Sequence, residues 1–363
     1  FLKVHEGNKL RSDPLRVYFL YQVFLVILTI ELGALLFFLF TMCIERIFSY
    51  FKKIKSEKKK RKIVEIINAH LEGKKLFDPK KKYKAFSDHY LLLTVMEAFN
   101  RRLKETDWED VKKEIAKRYL LPRARKWATS IFWTKRDVAA RCFSLEPLLE
   151  DEKVIISLID DPVFLIRSLS AMAAVQLESK IGVIKTLEHM SREPGYAHYI
   201  YQDILLLGSP KTLLWIEEIA EKKRVPMATH LACLEVLAGK TTSLPLPFLK
   251  EDLHSTNPKI RLATLKVLNR HPHKSSAKIL FDCLNDPDEQ IRIEVVRGLE
   301  NFPSDETIDQ LKEALKDPSI KVKIQAAIAL HKLGKEGIDI LKKQDSKKDK
   351  SNYEVAQYIL KFN

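Results

Sequence analysis

Six prolines at nearly constant spacing constrain the fold of this chain more than any other feature of its sequence. Each of them precedes a stretch rich in apolar and small residues, such as VFLIRSLSAMAAV after Pro162. A unit made of one helix, a proline turn and a second helix cannot bury its apolar face alone, whereas a stack of such units can. The sequence therefore predicts an all-α solenoid. The prolines stand at positions 162, 194, 226, 258, 287 and 318, with spacings of 32, 32, 32, 29 and 31.

Three of these units share an Asp-Pro turn and a basic residue six positions after the Asp. This pattern resembles HEAT repeats, in particular the short bacterial HEAT-like form, and the resemblance covers roughly residues 137–341. It implies that the Asp and the basic residue of neighbouring repeats bond to each other and form a ladder along the solenoid. The resemblance indicates a fold and says little about function. The residues that carry it are Asp161 with Arg167, Asp286 with Arg292, and Asp317 with Lys323.

Other units depart from the pattern. Arg261 follows Asn257 by four positions, and the units after Pro194 and Pro226 lack the basic residue. We therefore expect the ladder to be interrupted in the middle of the solenoid. After the last repeat we expect a linker and a capping helix over residues 342–363.

Residues 17–44 read VYFLYQVFLVILTIELGALLFFLFTMCI, with Glu31 as the single formal charge. At ~1.5 Å per residue a helix of this length exceeds the ~30 Å hydrocarbon layer of a bilayer. A cleaved secretory signal has an apolar stretch roughly half as long. The sequence therefore predicts one transmembrane helix over residues 17–44, preceded by a tail over residues 1–16.

Glu31 stands in the middle of this apolar stretch, where a carboxylate costs ~2.5–3.5 kcal/mol on insertion scales. At 100° per residue Gln22, Thr29 and Gly33 form a polar or small stripe on the opposite face of the helix. One interpretation is a neutral Glu that a lone helix tolerates. The interpretation that we favour is contact with other transmembrane helices, because small and polar side chains aid close packing.

The net charge of +15 comes entirely from residues 45–136, which contain 27 Lys and Arg against 12 Asp and Glu. Because cytoplasmic flanks of membrane helices carry the positive charge, this region and the solenoid are predicted to be cytoplasmic. We expect the region to form a basic juxtamembrane collar of helices that contacts anionic lipid headgroups. The candidate lipid contacts are Lys52, Lys53, Lys58, Lys59, Lys60, Arg61 and Lys62.

The stretch RARKWATSIFWTKR at residues 123–136 interleaves basic and aromatic side chains, just after Pro122, which we expect to end a helix. Single-stranded nucleic acid could stack its bases on Trp127, Phe132 and Trp133. The simpler interpretation is that the aromatic rings pack against the first repeat while the basic residues are solvated. On that interpretation nucleic acid is an unlikely partner.

The sequence contains no GxSxG, HExxH or GxGxxG motif and no pair of carboxylates in a context that would raise a pKa for acid catalysis. Asp286 and Asp288 have the spacing of a metal-binding DxD motif, but they lie at the recurring turn and are better explained by structure. The four cysteines are spread along the chain and are expected to be isolated, packed thiols. We therefore predict a protein that is not an enzyme and carries no cofactor or metal.

These features together predict a membrane-anchored, non-catalytic scaffold. Its cytoplasmic solenoid would bind a partner protein at the inner face of the membrane, on the concave surface formed by the second helix of each repeat. One alternative is an accessory subunit of a membrane-embedded complex, such as an envelope polysaccharide synthase or a transporter, that docks through its transmembrane helix. The other is a nucleic-acid-binding module that uses residues 45–136.

Overall fold

The computed structural model describes residues 14–72, 83–103, 106–222, 224–239, 248–272 and 276–362. Within these ranges the chain is helical and contains no strand, which confirms the all-α prediction. The chain divides into two compact units, residues 1–111 and residues 112–363.

The first unit contains one very long helix, α1 (Pro14–Leu71), that includes the whole predicted membrane span. The most apolar part of α1 has a mean hydropathy of 2.7, and none of that part is buried within the protein. The helix is thus long and apolar enough to cross a bilayer. Residues 1–13 of the predicted tail and residues 73–82 of the basic collar lie outside the described residues.

The C-terminal part of α1 packs against α2 (His89–Arg102), which begins where the side chain of Asp88 accepts a hydrogen bond from the Leu91 N–H. Both helices contribute fully buried apolar side chains to a small core. Phe99 of α2 stacks on the fully buried Trp108, with ring centroids 5.4 Å apart. The buried apolar side chains of α1 and α2 are Ile63, Ile67, Leu92, Leu93, Val95 and Met96.

Pro122 does not end its helix, contrary to the sequence-based expectation. The helix α3 (Thr106–Ile115) passes through a π-helical turn at Ala116–Leu120 into α4 (Leu121–Trp127). Proline lacks an N–H and collides with the carbonyl of the preceding turn of a regular helix. In the wider π turn the N–H of Leu121 bonds to the carbonyl of Ala116, five residues back, which accommodates the ring.

The second unit is a stack of helix pairs, each with a first helix (the A helix) and a second helix (the B helix). A short turn joins the two helices of a pair in most cases. The pairs are α4 with α5 (Trp133–Leu145), α6 (Glu152–Ile159) with α7 (Phe164–Gln176), α8 (Lys180–Arg192) with α9 (Tyr196–Leu206), α10 (Pro210–Lys222) with α11 (Met227–Gly239), α12 (Phe248–Leu253) with α13 (Pro258–Arg270), α14 (Ser276–Asp282) with α15 (Glu289–Leu299), α16 (Asp305–Ala314) with α17 (Ile320–Lys332), and α18 (Lys335–Lys342) with α19 (Lys350–Phe362).

The B helices pack side by side in chain order, and one continuous apolar core runs from Ala171 to Ile359. Residue 137, where we predicted the solenoid to begin, lies inside α5, and α5 already packs along α7. At the other end α19 packs along α17 and buries Val355 and Ala356. Each pair therefore covers the apolar face of the next, as a repeat architecture requires.

Candidate interaction surfaces

Arg292 links two successive repeats through one guanidinium group. Its Nε donates to Oδ2 of Asp317 at 2.8 Å and its Nη2 to Oδ1 at 3.0 Å, while its Nη1 donates to the backbone carbonyl of Asp286 at 2.9 Å. The side chains of Arg292 and Asp317 are 13% and 10% exposed. The six-residue offset thus reflects a bond to the carbonyl of its own turn, and the carboxylate that the arginine binds belongs to the next turn.

The aspartates of these turns also shape the backbone. Oδ1 of Asp286 accepts a hydrogen bond from the N–H of Asp288 at 2.9 Å, and the Asp288 side chain in turn caps α15 by accepting from the Gln290 N–H at 2.8 Å. Both carboxylates of the DxD sequence are therefore engaged in the turn. Among the described residues no group of three or more His, Cys, Asp or Glu is placed to hold a metal ion.

Arg261 makes the same set of bonds as Arg292. The prediction that the ladder is interrupted at this repeat is therefore wrong. Its Nε donates to Oδ2 of Asp286 at 2.8 Å and its Nη1 to the carbonyl of Ser255 at 2.8 Å. Ser255 therefore takes the place of the turn aspartate, while Asn257 caps α13. Pro258 is the first residue of α13, whereas the prolines of the Asp-Pro turns lie two residues before their B helices, so Pro258 is not equivalent to them.

The N-terminal repeats contain equivalent pairs. Arg136, the fourth residue of α5, donates to both carboxylate oxygens of Asp161, and Arg167, the fourth residue of α7, bonds to Glu193 and to the carbonyl of Asp161. At the C-terminal end Lys323 donates to the side chain of Asn352 at 2.8 Å. The ladder thus includes Arg136 and Arg261, which sequence reasoning missed.

The middle repeats are linked differently. The fourth residues of α9 and α11 are Tyr199 and His230, so no arginine stands at the ladder position of these two helices. Instead Nε2 of His230 lies 2.8 Å from Oδ2 of the buried Asp252, and Nε2 of His198 lies 2.6 Å from Oε2 of Glu235. The polar links continue through the middle of the solenoid, but histidine supplies them there.

The ladder also changes the acidity of its members. The hydrogen bond to Asp317 raises the pKa of the Arg292 guanidinium, although partial burial opposes this effect. For Asp317 partial burial acts to raise the pKa, but the hydrogen bonds from Arg292 and from the Ser319 N–H outweigh it. The pKa of Asp317 therefore lies below its ordinary value.

The B helices α9, α11, α13 and α15 line an open groove of about 680 Å³. Nδ2 of Asn269 in this groove donates to the carbonyl and the carboxylate of Glu294, at 2.8 and 3.0 Å. A side chain at Gly298 would place its Cβ 2.0 Å from Oδ1 of Asn269, so only glycine leaves room for this amide. Lys266, Arg270 and Arg297 stand exposed around it. The groove thus offers cations, carboxylates and amides from four successive repeats.

The loop between α4 and α5 exposes its apolar residues, which contradicts our expectation that the aromatic rings pack against the first repeat. Ile131, Phe132 and Trp133 are 87%, 57% and 55% exposed. The helix α5 fills its interface with smaller side chains further along, including Ala139 and Ala140. Trp127 is the partly buried member of the predicted aromatic group.

The predicted membrane-helix contacts are all exposed along α1: Gln22, Thr29, Glu31 and Gly33. The hydroxyl of Thr29 donates to the carbonyl of Val26 at 2.8 Å, so its donor is already satisfied within the helix. A side chain at Gly33 would meet no heavy atom within 4 Å. The side of α1 that carries Gly33, which we predicted to contact other transmembrane helices, is therefore free of contacts with described residues at this position.

The predicted lipid contacts lie further along α1. Lys59 is half-buried and forms an ion pair with Asp88, with Nζ 3.6 Å from Oδ2. The other members of the group project into solvent. They are Lys52, Lys53, Lys58, Lys60, Arg61 and Lys62.

The family model described as HEAT repeats matches residues 246–331 and, in overlap, residues 277–357. These residues include α12 to α18 and the ladder pairs of Arg261 and Arg292. The chain is therefore an all-α protein with HEAT repeats, as the sequence resemblance implied. No curated protein matches the chain.

Several solved structures are similar to this chain at low sequence identity. Human deoxyhypusine hydroxylase in complex with glycerol is 14% identical, with 77% of this chain and 98% of that chain covered and a TM-score of 0.30. An engineered protein is 16% identical, with coverage of 83% and 88% and a TM-score of 0.36. The Escherichia coli protein YibA is 18% identical, with coverage of 78% and 100% and a TM-score of 0.34. Likenesses at these TM-scores carry no argument about function.

Proposed function

We propose that this protein is a membrane-anchored, non-catalytic scaffold whose solenoid binds a partner protein. The observation that carries the proposal is the groove lined by α9, α11, α13 and α15. It lies on the surface made by the B helices, where repeat proteins present extended binding surfaces. Its donors and acceptors come from four successive repeats, so an extended segment of a partner could be held at several points along its length.

The charges of the groove favour a partner segment with acidic residues. Lys266 and Arg270 of α13 are exposed, and neither makes an ion pair among the described residues. Glu294, by contrast, is bonded to Asn269 and to Arg297. The other carboxylates of the groove, Glu235 and Glu300, are bonded to His198 and Lys332. Lys266 and Arg270 are therefore the cations of the groove that remain open to an acidic segment, and complementary charge increases both specificity and the rate of association.

The buried thiols of the solenoid support a non-catalytic role. Burial raises the pKa of the Cys233 thiol to about 12 and that of the Cys283 thiol to about 11. A cysteine nucleophile needs the thiolate, which a raised pKa disfavours. These two residues therefore act as small apolar members of the core.

The anchor in this proposal is α1, with the solenoid on the cytoplasmic side of a single span. The apolar part of α1 is exposed throughout, as expected for a surface that meets lipid. The exposed lysines that follow it fit the positive charge of a cytoplasmic flank and the anionic headgroups of the membrane.

The groove can be tested by charge reversal in the full-length protein. After chemical cross-linking and mild detergent extraction, the variant with Lys266→Glu and Arg270→Glu should lack most of the proteins that co-purify with the wild-type protein. Lys312→Glu with Lys335→Glu, on the A helices α16 and α18, is the matched control and should retain them. Loss of the same proteins from both variants, or from neither, would overturn the assignment of the groove.

Docking through α1 is the second candidate function, and it is favoured by the exposed Glu31 in the middle of the apolar stretch. If the protein is a subunit of a membrane-embedded complex, the Glu31→Leu variant should form a smaller assembly than the wild-type protein. Its insertion into the membrane should be unchanged. Leu32→Ile is the matched control. An unchanged assembly size and unchanged co-purifying proteins for Glu31→Leu would remove the main support for this candidate.

A further inference from the structure

Five apolar side chains are exposed at the N-terminal ends of three successive B helices. Ile131, Phe132 and Trp133 stand at the start of α5, with Leu165 (51% exposed) at the start of α7 and Tyr196 (73% exposed) at the start of α9. We name these five residues the apolar edge. Met227 and Ile320, the first residues of α11 and α17, are also exposed, at 51% and 49%. The first residues of α13, α15 and α19 are Pro258, Glu289 and Lys350, so the run of exposed apolar residues is interrupted in the C-terminal repeats.

The ladder places the residues of the apolar edge side by side. Arg136 in the first turn of α5 bonds to Asp161 in the turn before α7, and Arg167 in the first turn of α7 bonds to Glu193 in the turn before α9. The first turns of the three helices are therefore adjacent. The ring of Phe164 also meets that of Tyr196, with centroids 5.8 Å apart.

The acidic side chains between the helices of the apolar edge are paired with basic side chains. The acidic side chains between its helices, Asp161 and Glu193, are each bonded to an arginine. Asp160 beside them pairs with Lys185 and His189.

Cations are exposed on both sides of the loop before α5. Lys126 in the last turn of α4 and Lys135 in the first turn of α5 make no ion pair within the described part of the chain. The ammonium group of Lys135 lies over the ring of Phe132, 5.1 Å from its centroid. The edge therefore combines exposed apolar side chains with flanking positive charge.

We propose that the apolar edge is a second membrane contact, which inserts its side chains into the headgroup region of an anionic bilayer. Trp and Tyr favour this interface because their rings are amphipathic, and Lys and Arg beside them meet anionic headgroups. The proposal rests on the anchoring by α1 proposed above, which would hold the edge near a bilayer at high effective concentration. It does not depend on the groove.

The test uses the full-length protein, one chain per lipid nanodisc, in phosphatidylcholine with phosphatidylglycerol whose acyl chains are brominated. Bromine quenches tryptophan fluorescence at short range, so quenching reports an indole close to lipid. Trp133→Phe should lose more than half of the quenching of the wild-type protein. Trp215→Phe, in the A helix α10, is the matched control and should retain it.

Each outcome decides the proposal. Equal quenching of the wild-type protein and of Trp133→Phe overturns the proposed membrane contact. The apolar edge would then be a surface for a protein partner. Lys126→Glu with Lys135→Glu should reduce the quenching at least twofold, and an unchanged value overturns the role of anionic lipid. Co-elution of protein with the nanodisc reports insertion of α1 separately, and failure to co-elute overturns the anchoring on which the proposal rests.

Discussion

The C-terminal repeats, α12 to α19, and the middle repeats, α8 to α11, use the same helix pairs but different polar links. In the C-terminal repeats Arg261 and Arg292 make equivalent bonds to the turn aspartates Asp286 and Asp317. In the middle repeats the equivalent position is occupied by Tyr199 or His230. The two regions nevertheless share one continuous apolar core.

This difference separates two contributions to a solenoid. Both regions bury apolar side chains completely, as Ile216 of α10 and Leu330 of α17 show. The family model begins to match only at residue 246, where the regular arginine ladder resumes. Packing therefore forms the stack, while the ladder fixes neighbouring turns against each other.

The largest expected effect is that of Arg292→Ala, which leaves the mostly buried carboxylate of Asp317 without its cation. We expect a loss of roughly 1–3 kcal/mol in the stability of α15 to α17. Tyr199→Ala at the matched position of α9 removes a side chain that is 65% exposed and should cost less than about 0.5 kcal/mol. Hydrogen exchange of the full-length protein measures both effects, and equal losses would contradict a special role for the ladder.

The next effect concerns the buried thiols. Because their pKa values are raised to about 11 and about 12, Cys283 and Cys233 should react with a maleimide only when the structure opens locally. Arg261→Ala unpairs Asp286, whose N–H bonds to the carbonyl of Cys283, and should speed labelling of Cys283 about tenfold, equivalent to ~1.4 kcal/mol. Cys233 in the middle repeats serves as the internal control. Equal acceleration at both thiols would mean that the two regions open together.

Acid should affect one carboxyl group in each region in opposite directions. The pKa of Asp317 is lowered in the folded protein, so its contribution to stability is present above the unfolded value of about 4 and is lost as the pH falls through the lowered value. Burial raises the pKa of Glu217 in α10, so its charge destabilises the fold at neutral pH and protonation relieves that cost.

Below about pH 4 we therefore expect amides of α15 to α17 to lose protection from exchange as Asp317 is protonated. Between about pH 6 and pH 4.5 we expect amides of α10 to gain protection as Glu217 is protonated, because Glu218 of the same helix, whose pKa is lowered to about 2 by Lys180 and Lys222, keeps its charge there. Asp317→Asn should weaken the first response and Glu217→Gln the second. A parallel loss of protection in both regions, unchanged by these substitutions, would show that neither carboxyl group controls the acid response.

The fold could be predicted because its signal repeats along the sequence. Proline spacing and Asp-Pro turns are local features, and each copy strengthens the others. The ladder was harder to predict, because the partner of an arginine lies 25 or 26 residues ahead in the next repeat. Arg136 with Asp161 and Arg261 with Asp286 are both 25 residues apart. A search for arginine followed by aspartate at that distance would have found both missed members.

The two proposed surfaces could not be predicted in the same way. The groove brings together side chains from four helices, such as Asn269 and Glu294, and their proximity depends on how the repeats stack. Two members of the apolar edge, Phe132 and Trp133, were expected to be packed, because large apolar side chains are usually buried. Phe132 and Trp133 are exposed because they lie at the loop before α5. The residues that α5 buries lie further along the helix and include Ala139 and Ala140.

The smallest expected effect is at Lys323, the last member of the ladder. Its ammonium group donates to the amide oxygen of the buried Asn352, and Asp349 lies 3.7 Å away with 41% of its side chain exposed. Lys323→Met keeps the apolar stem and removes this hydrogen bond, so we expect α19 to lose about 0.5–1 kcal/mol of local stability. Lys321→Met, where the lysine is 63% exposed, is the matched control and should change nothing measurable. Hydrogen exchange of α19 tests the pair, and a loss as large as that of Arg292→Ala would show that the strength of a ladder member does not depend on how deeply its partner carboxylate is buried.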